Sequence, residues 1–340
     1  MQALLFNGPH DVEVGELMLQ KLRPDELLIN VDGCGVCGTD FHIFEGKAPA
    51  KSPVVLGHEY TGTIIDLGSR FDDFSIGDKI AVNPNIHCGY CPWCRLGKIN
   101  LCQNLKALGV TINGGMSQYS IVPISQAHLL PKNFPFSKAI FAEPLSCCIH
   151  GINQASIIPG EQVVIIGAGT IGLIMLQLAL LRGASKVIVL DPLEVKRNMA
   201  KKLHADIILD ASDVDSTEKV IDFTSGGANT VIECVGSQSA AESALRLVRK
   251  GGKIVIFGLA NNTAAVSISL QSFFHKELTL ISSILNPNTF QASVDLIVNN
   301  KINVELFNPY PVSLIQEKIQ SLFNGLLDET VIKFMVTPNS

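Results

Sequence analysis

No apolar run in this 340-residue chain reaches the roughly 18 residues that a membrane-spanning helix needs. The first residues, Met-Gln-Ala-Leu-Leu-Phe-Asn-Gly-Pro, have neither the basic start nor the long apolar segment of a secretory signal. Basic residues are not in excess: 26 Lys and Arg against 31 Asp and Glu leave a net charge of −5, which argues against a non-specific nucleic-acid binder. Internal repeats and low-complexity runs are missing too. Charged residues make up only 17% against 47% hydrophobic, the balance of a compact chain and not of a disordered one. The length suggests two domains, each with its own core. The expectation is a cytoplasmic α/β protein with no membrane and no nucleic-acid partner.

Cysteine, by contrast, is plentiful. There are nine, and with no export signal and five of them in metal-type spacings, reduced thiols fit better than disulfides. Cys88, Cys91, Cys94 and Cys102 form C-x2-C-x2-C-x7-C in a single loop. Tetrahedral zinc takes four such thiolates at about 2.3 Å, and a site so filled has no position left for water, so it is structural. Iron–sulfur clusters also use closely spaced cysteines and stay open as an alternative. A zinc-ribbon nucleic-acid binder is a rival reading, but only Arg95 and Lys98 are basic inside the loop.

Gln162 to Gly172, Gln-Val-Val-Ile-Ile-Gly-Ala-Gly-Thr-Ile-Gly, organises the second half. Val163–Ile166 reads as a buried strand, Gly167, Gly169 and Gly172 as a G-x-G-x-x-G turn, and Ile171–Leu181 as a helix packed under a sheet. The first glycine permits a tight turn, the second lets backbone approach a pyrophosphate, and the third brings helix against strand. The helix N-terminus offers free N–H groups and a positive dipole end to the phosphates. A second strand, Lys186–Leu190, ends in Asp191, about 20 residues beyond the turn, where an acid hydrogen-bonds an adenosine ribose and repels a 2′-phosphate. That favours NAD over NADP, although Lys196 and Arg197 nearby keep NADP open. The cofactor residues are therefore Gly167, Gly169, Thr170, Ile171, Gly172, Asp191 and Arg197, with Val235 further on.

Residues 1 to about 145 read as strand-rich, with alternations at Glu26–Val31, Tyr60–Leu67 and Lys79–Asn83 cut by Gly, Pro and Asp. After about 146, strands at Val163–Ile166, Lys186–Leu190, Asp206–Leu209, Thr230–Cys234 and Lys253–Phe257 alternate with helices, and Glu277–Leu285 completes a six-stranded parallel sheet. The Gly-Gly pairs at 226–227 and 251–252 read as loop markers. Between the early strands lie Cys37 in Gly-Val-Cys-Gly-Thr-Asp, His58 and Glu59 in Gly-His-Glu-Tyr, and Glu143 in Ala-Glu-Pro-Leu. Taken singly, each has an ordinary explanation as a small core residue, a bonded imidazole or a solvated acid.

Together, in the order Cys-Gly-Thr-Asp, Gly-His-Glu, four-cysteine loop, Glu-Pro-Leu and G-x-G-x-x-G, these segments resemble the zinc-dependent medium-chain alcohol and polyol dehydrogenases over essentially the whole chain. The resemblance implies a GroES-like catalytic domain at 1–146 and 286–340, and a Rossmann doubly wound NAD-binding domain at 147–285. It implies two zincs per chain. Cys37, His58, Glu59 and Glu143 would serve the catalytic one, the two acids directly or through water, and Cys88, Cys91, Cys94 and Cys102 the structural one. Asp40 matches the carboxylate that orients the ligand histidine, and Thr39 and His42 match a relay carrying the substrate proton toward solvent. Ethanol-type members have cysteine at the position of Glu143, threonine dehydrogenases an Asp-Pro-Phe, and sorbitol-type members a Glu-Pro. The departure favours a polyol substrate. A threonine- or butanediol-type enzyme, or a relative that binds NAD without chemistry, are the alternatives. The resemblance further implies a homodimer or homotetramer joined along the edge strand at 277–285, where exposed apolar edges invite pairing.

Overall fold

The computed structural model describes residues 1–69, 73–260, 263–326, 328 and 330–339. The chain divides into two units, Met1–Ser146 with Asn286–Ser340, and Cys147–Leu285.

In the first unit the strand Glu26–Gly35 is the axis, because its period of two sends Leu27, Ile29 and Val31 to one face. That face packs on Ile64, Ile80, Val82, Val122 and Val336. The strand pairs antiparallel with Glu59–Leu67, Tyr119–Pro123 and Phe334–Thr337. Lys79–Val82 and Ala127–Leu130 extend the sheet on one side and Tyr310–Ser313 on the other. Gly35 stands opposite both Glu59 and Met335. This register draws residues 35, 59 and 333 together although they are remote in sequence.

The second unit is a parallel sheet, and its strand order is Ile207–Leu209, Lys186–Leu190, Gln162–Ile166, Ala228–Glu233, Val248–Ile256, Thr279–Ser282. Numbered along the chain this is 3-2-1-4-5-6, the doubly wound dinucleotide-binding order. The helix Thr170–Leu181 buries every residue from Gly172 to Ala179. A helix apolar all round belongs inside a core, not on a surface. It stops at Arg182, followed by Gly183 at φ +85°, the left-handed stop that glycine allows.

Element ends shift by a few residues from the sequence reading, and two of the departures have identifiable causes. The edge strand covers only Thr279–Ser282, because Glu277 (φ +51°) caps the preceding helix Leu270–Lys276 in the left-handed region and Leu285 (φ +58°) turns out of the sheet. Gly251 and Gly252 do not mark a loop. They lie inside the strand Val248–Ile256, where pairing with Ala228–Glu233 is shifted between Ala228 and Thr230. A glycine in a strand often marks such an irregularity.

The glycine turn is as tight as its motif requires. Gly167 sits at φ +95°, and a Cβ on Gly172 would collide with the Gly167 carbonyl oxygen. Gly172→Ala is expected to lower stability by about 1–3 kcal/mol, the usual cost of overpacking, and to weaken nucleotide binding. Denaturant unfolding and calorimetric titration with NAD check both.

Candidate metal centres and nucleotide site

Four cysteines close one centre in the first unit. The short helix Pro92–Arg95 carries Cys94 and takes Cys91 as its N-cap, while Cys102 follows the single turn Ile99–Leu101. Cys91 Sγ lies 3.5 Å from Cys94 Sγ and 3.9 Å from Cys102 Sγ, and Cys88 Sγ lies 4.0 Å from Cys94 Sγ. Ligands about 2.3 Å from a tetrahedral ion stand about 3.8 Å apart, so the spacing suits zinc and is far too wide for disulfides. Backbone amides aim at the same sulfurs: Cys91 N–H at Cys88, and Cys88 and Asn104 N–H at Cys102. Desolvation works against the Cys88 thiolate, but the amides of Tyr90 and Cys91 outweigh it and pull the thiol down to about 6. Desolvation and the neighbouring Cys91 sulfur push Cys94 up to about 12. A cation at the centre would relieve that crowding of like groups.

The second centre lies at the junction of three strands, with His58 and Glu59 buried and Cys37 half-buried. Cys37 follows the axial strand and is N-cap of the helix Gly38–Phe44, whose Asp40 carboxylate accepts the Cys37 N–H at 2.8 Å. His58 and Glu59 enter the strand Glu59–Leu67. One donor atom from each of Cys37, His58 and Glu59 lies within 4.8 Å of the other two. His58 Nδ1 faces Asp40 Oδ1 at 3.5 Å, an ion-pair contact that sets a carboxylate, the usual companion of a metal-bound imidazole, beside one ring nitrogen. Burial opposes a charged His58, yet Asp40 and then Cys37 outweigh it and push the imidazole well up. Three mixed donors leave a coordination position open, as catalytic zinc sites do.

Glu143 is buried at the start of the helix Ala142–Ala155 but is not one of the donors clustered within that distance. Thr39 and His42 share the helix with Asp40, and His42 Nδ1 is buried with no hydrogen-bond partner among the described residues.

Lys333 is a site residue that the sequence reading passed over. It is 5% exposed and ion-paired with Glu59. Burial pulls a lysine down, but Glu59 and then Cys37 outweigh it and raise Lys333. Gly35 makes the pair possible: a Cβ there would strike the Glu59 carboxylate and stand 3.0 Å from Lys333 Cε. The available signal was a lysine inside the apolar run Val331 to Val336.

In the second unit Asp191, at the end of Lys186–Leu190, does not project freely. Its carboxylate accepts the N–H of Ala168 inside the glycine turn at 2.7 Å and that of Leu193 at 2.9 Å. Glu233, also unread in the sequence, ends the strand on the other side of Gln162–Ile166 and accepts the N–H of Val235 at 2.6 Å and of Gly236 at 2.8 Å. Burial raises Glu233, against those amides. Val235 is half exposed and its side chain closes on Gly167. Arg197 Nη1 donates to the carbonyls of Asp191 and Pro192. The turn, the helix N-terminus behind it and Asp191 make the cradle that a dinucleotide requires.

Both centres generate expected outcomes. Cys94→Ser should lose about one zinc equivalent by metal analysis and lower the melting temperature, and a variant as stable as the parent would contradict a structural role. Lys333→Met leaves Glu59 buried without its counter-charge, so in metal-stripped protein it should cost about 3 kcal/mol in urea unfolding. The double variant Lys333→Met/Glu59→Gln should recover most of that loss, since it buries no lone charge.

Comparison with known proteins agrees with this arrangement. The alcohol dehydrogenase GroES-like domain matches residues 23–132, and the zinc-binding dehydrogenase family matches residues 170–299. D-arabinitol dehydrogenase 1 of Uromyces fabae is 30% identical over 100% of this chain and 97% of its own. L-threonine 3-dehydrogenase of Thermococcus kodakarensis is 36% identical over 76% of this chain and 75% of its own. A crystal structure assigned as a zinc-binding dehydrogenase from Sinorhizobium meliloti 1021, bound to NADP, superposes with a TM-score of 0.95 at 34% identity, covering 99% of each chain. With a doubly wound parallel sheet, a GroES-like unit and two clusters of zinc-type donors, the chain belongs to the zinc-dependent medium-chain alcohol and polyol dehydrogenase family.

Proposed function

We propose that the protein is a zinc-dependent oxidoreductase that transfers a hydride between a secondary hydroxyl of a polyol or sugar-alcohol-like substrate and NAD. The observation that carries this reading is the cluster of Cys37, His58 and Glu59, with Asp40 behind the imidazole. Its mixed sulfur, nitrogen and oxygen donors suit zinc with an open position. Zinc held there supplies a Lewis acid for the substrate hydroxyl, and NAD supplies the hydride acceptor. The chain's residues do the rest. Asp40 fixes the orientation of His58, and Lys333 fixes that of Glu59. Thr39 and His42 carry the hydroxyl proton toward solvent, and Glu143 accepts a hydrogen bond from a second substrate hydroxyl or a water. Cys88, Cys91, Cys94 and Cys102 hold a second zinc that shapes their loop.

Gly167, Gly169, Thr170, Ile171 and Gly172 bind the pyrophosphate, Asp191 the adenosine ribose, and Arg197 and Val235 flank the cofactor. The Sinorhizobium structure contains NADP, so the preference for NAD in this chain rests on its own Asp191. The protein acts in the cytoplasm as a homodimer or homotetramer. Leu280 on the edge strand and Ile284 beyond it are both exposed, and they support pairing along that edge.

The identity to a threonine dehydrogenase supports a second reading, an amino-alcohol substrate. Glu143 separates the polyol reading from a simple mono-alcohol, because a carboxylate accepts a hydrogen bond from a second hydroxyl, and the choice between polyol and amino alcohol falls to the substrate screen. A vicinal diol should be oxidised at least about tenfold more efficiently than a matched mono-alcohol, roughly 1.4 kcal/mol, within reach of one hydrogen bond to a charged group. Glu143→Gln should shrink that ratio and the rate while leaving NAD affinity nearly unchanged. A screen of NAD reduction over pentitols, hexitols, 2,3-butanediol, 2-butanol and L-threonine tests it. Equal efficiency on 2-butanol and the best diol would defeat the polyol assignment, and L-threonine as the preferred substrate would install the second reading.

A further inference from the structure

Three charged groups meet where the strands Lys186–Leu190 and Ile207–Leu209 end side by side in the parallel sheet. Asp191 spends both carboxylate oxygens on backbone amides. Arg197 Nη1 donates to the Asp191 carbonyl at 2.8 Å and the Pro192 carbonyl at 2.6 Å. The same nitrogen lies 2.8 Å from Asp210 Oδ2, and both side chains of that pair keep about a fifth to a quarter of their surface exposed, 20% and 25%. Asp210 is itself fixed, since its other oxygen accepts the Ser212 amide at 2.9 Å and the Ser212 hydroxyl at 2.5 Å. Those two bonds hold its carboxyl below the usual range, and Arg197 adds to them. The guanidinium is thus anchored at the strand end where the family fingerprint reads an adenosine ribose, within reach of solvent, with its charge already matched.

Resting on the reading of Asp191 as the ribose acid, we propose that Asp210 is a specificity-determining residue: by pairing with Arg197 it withholds from a 2′-phosphate the cation that would accept it. NADP differs from NAD by one phosphate carrying close to two negative charges. An arginine fork is the side chain best suited to such a group, being always charged and able to present paired donors. As built, the Asp210 carboxylate matches the guanidinium's charge while Asp191 stays turned to backbone amides, so Arg197 offers a phosphate no unmatched positive charge. Asp210 acts at a distance from the ribose and opposes only the ligand that brings extra negative charge. NAD, which ends there in a neutral hydroxyl, is indifferent to it.

A bland structural pair would stabilise the strand ends and affect both nucleotides alike, so the ratio of their affinities is the decisive readout. Calorimetric titration with NAD and with NADP, at one fixed low salt concentration, should be run on the parent, Asp210→Asn, Asp210→Ser and Asp210→Asn/Arg197→Ala. Both Asp210 variants should bind NADP at least about tenfold more tightly than the parent while NAD stays within about threefold, which also reports an intact fold. Arg197→Ala added to Asp210→Asn should return NADP to the parent affinity. The inference is overturned if neither variant gains NADP affinity, or if the gain survives loss of Arg197. A parent that already prefers NADP defeats the Asp191 reading as well, whereas a parent that prefers NAD and ignores Asp210 defeats this inference alone.

Discussion

A charged donor taken out of water has to find its counter-charge inside the fold, and the first unit is arranged around that constraint. Glu59, Asp40 and His58 are buried, with the half-buried Cys37 beside them. An isolated carboxylate in such a place would cost several kcal/mol. Lys333 answers Glu59, and Asp40 answers His58. Each pairing is between strands or turns remote in sequence, so the sheet has to be assembled before the donors are compensated. A divalent cation among Cys37, His58 and Glu59 would complete the balance, since with His58 as a neutral ligand two carboxylates and a thiolate outnumber the positive charge of Lys333.

The same logic explains why small residues lie where they do. Gly35 stands between Glu59 and Met335 in register, and only the absence of a side chain leaves room for the carboxylate and the lysine stem together. In the second unit Gly172 leaves room for the carbonyl of Gly167, and Asp191 and Glu233 then use their carboxylates to hold the loops at the strand ends. Buried acids accepting backbone N–H groups rigidify those loops, because a donor left unmet there costs more than the bond itself contributes. A rigid cradle loses less entropy when a ligand is bound.

What could be read from the sequence follows the range of the interactions. The glycine turn, its flanking strands and the four-cysteine loop are local, so spacing alone exposes them, and the parallel sheet followed from strand–helix alternation. The donors Cys37, His58 and Glu59 are spread over two segments, and single residues of those kinds have ordinary explanations. Only their order along the chain, compared with a known family, drew them together. Lys333 and Glu233 were harder to pick out because a lysine or a glutamate usually points to water, and the apolar runs around them show a strand but not which charged group its sheet will bury. The edge strand came out shorter than its apolar run, since left-handed conformations at Glu277 and Leu285 end it, and apolar periodicity does not report backbone angles.

The account turns on whether the cluster of Cys37, His58 and Glu59 holds a metal. Anomalous diffraction from crystals of the zinc-supplemented protein, collected on either side of the zinc absorption edge, addresses this directly. Two peaks per chain are expected, one bounded by Cys37, His58 and Glu59 and the other by Cys88, Cys91, Cys94 and Cys102. A full-strength peak at the four cysteines with none beside His58 would contradict it.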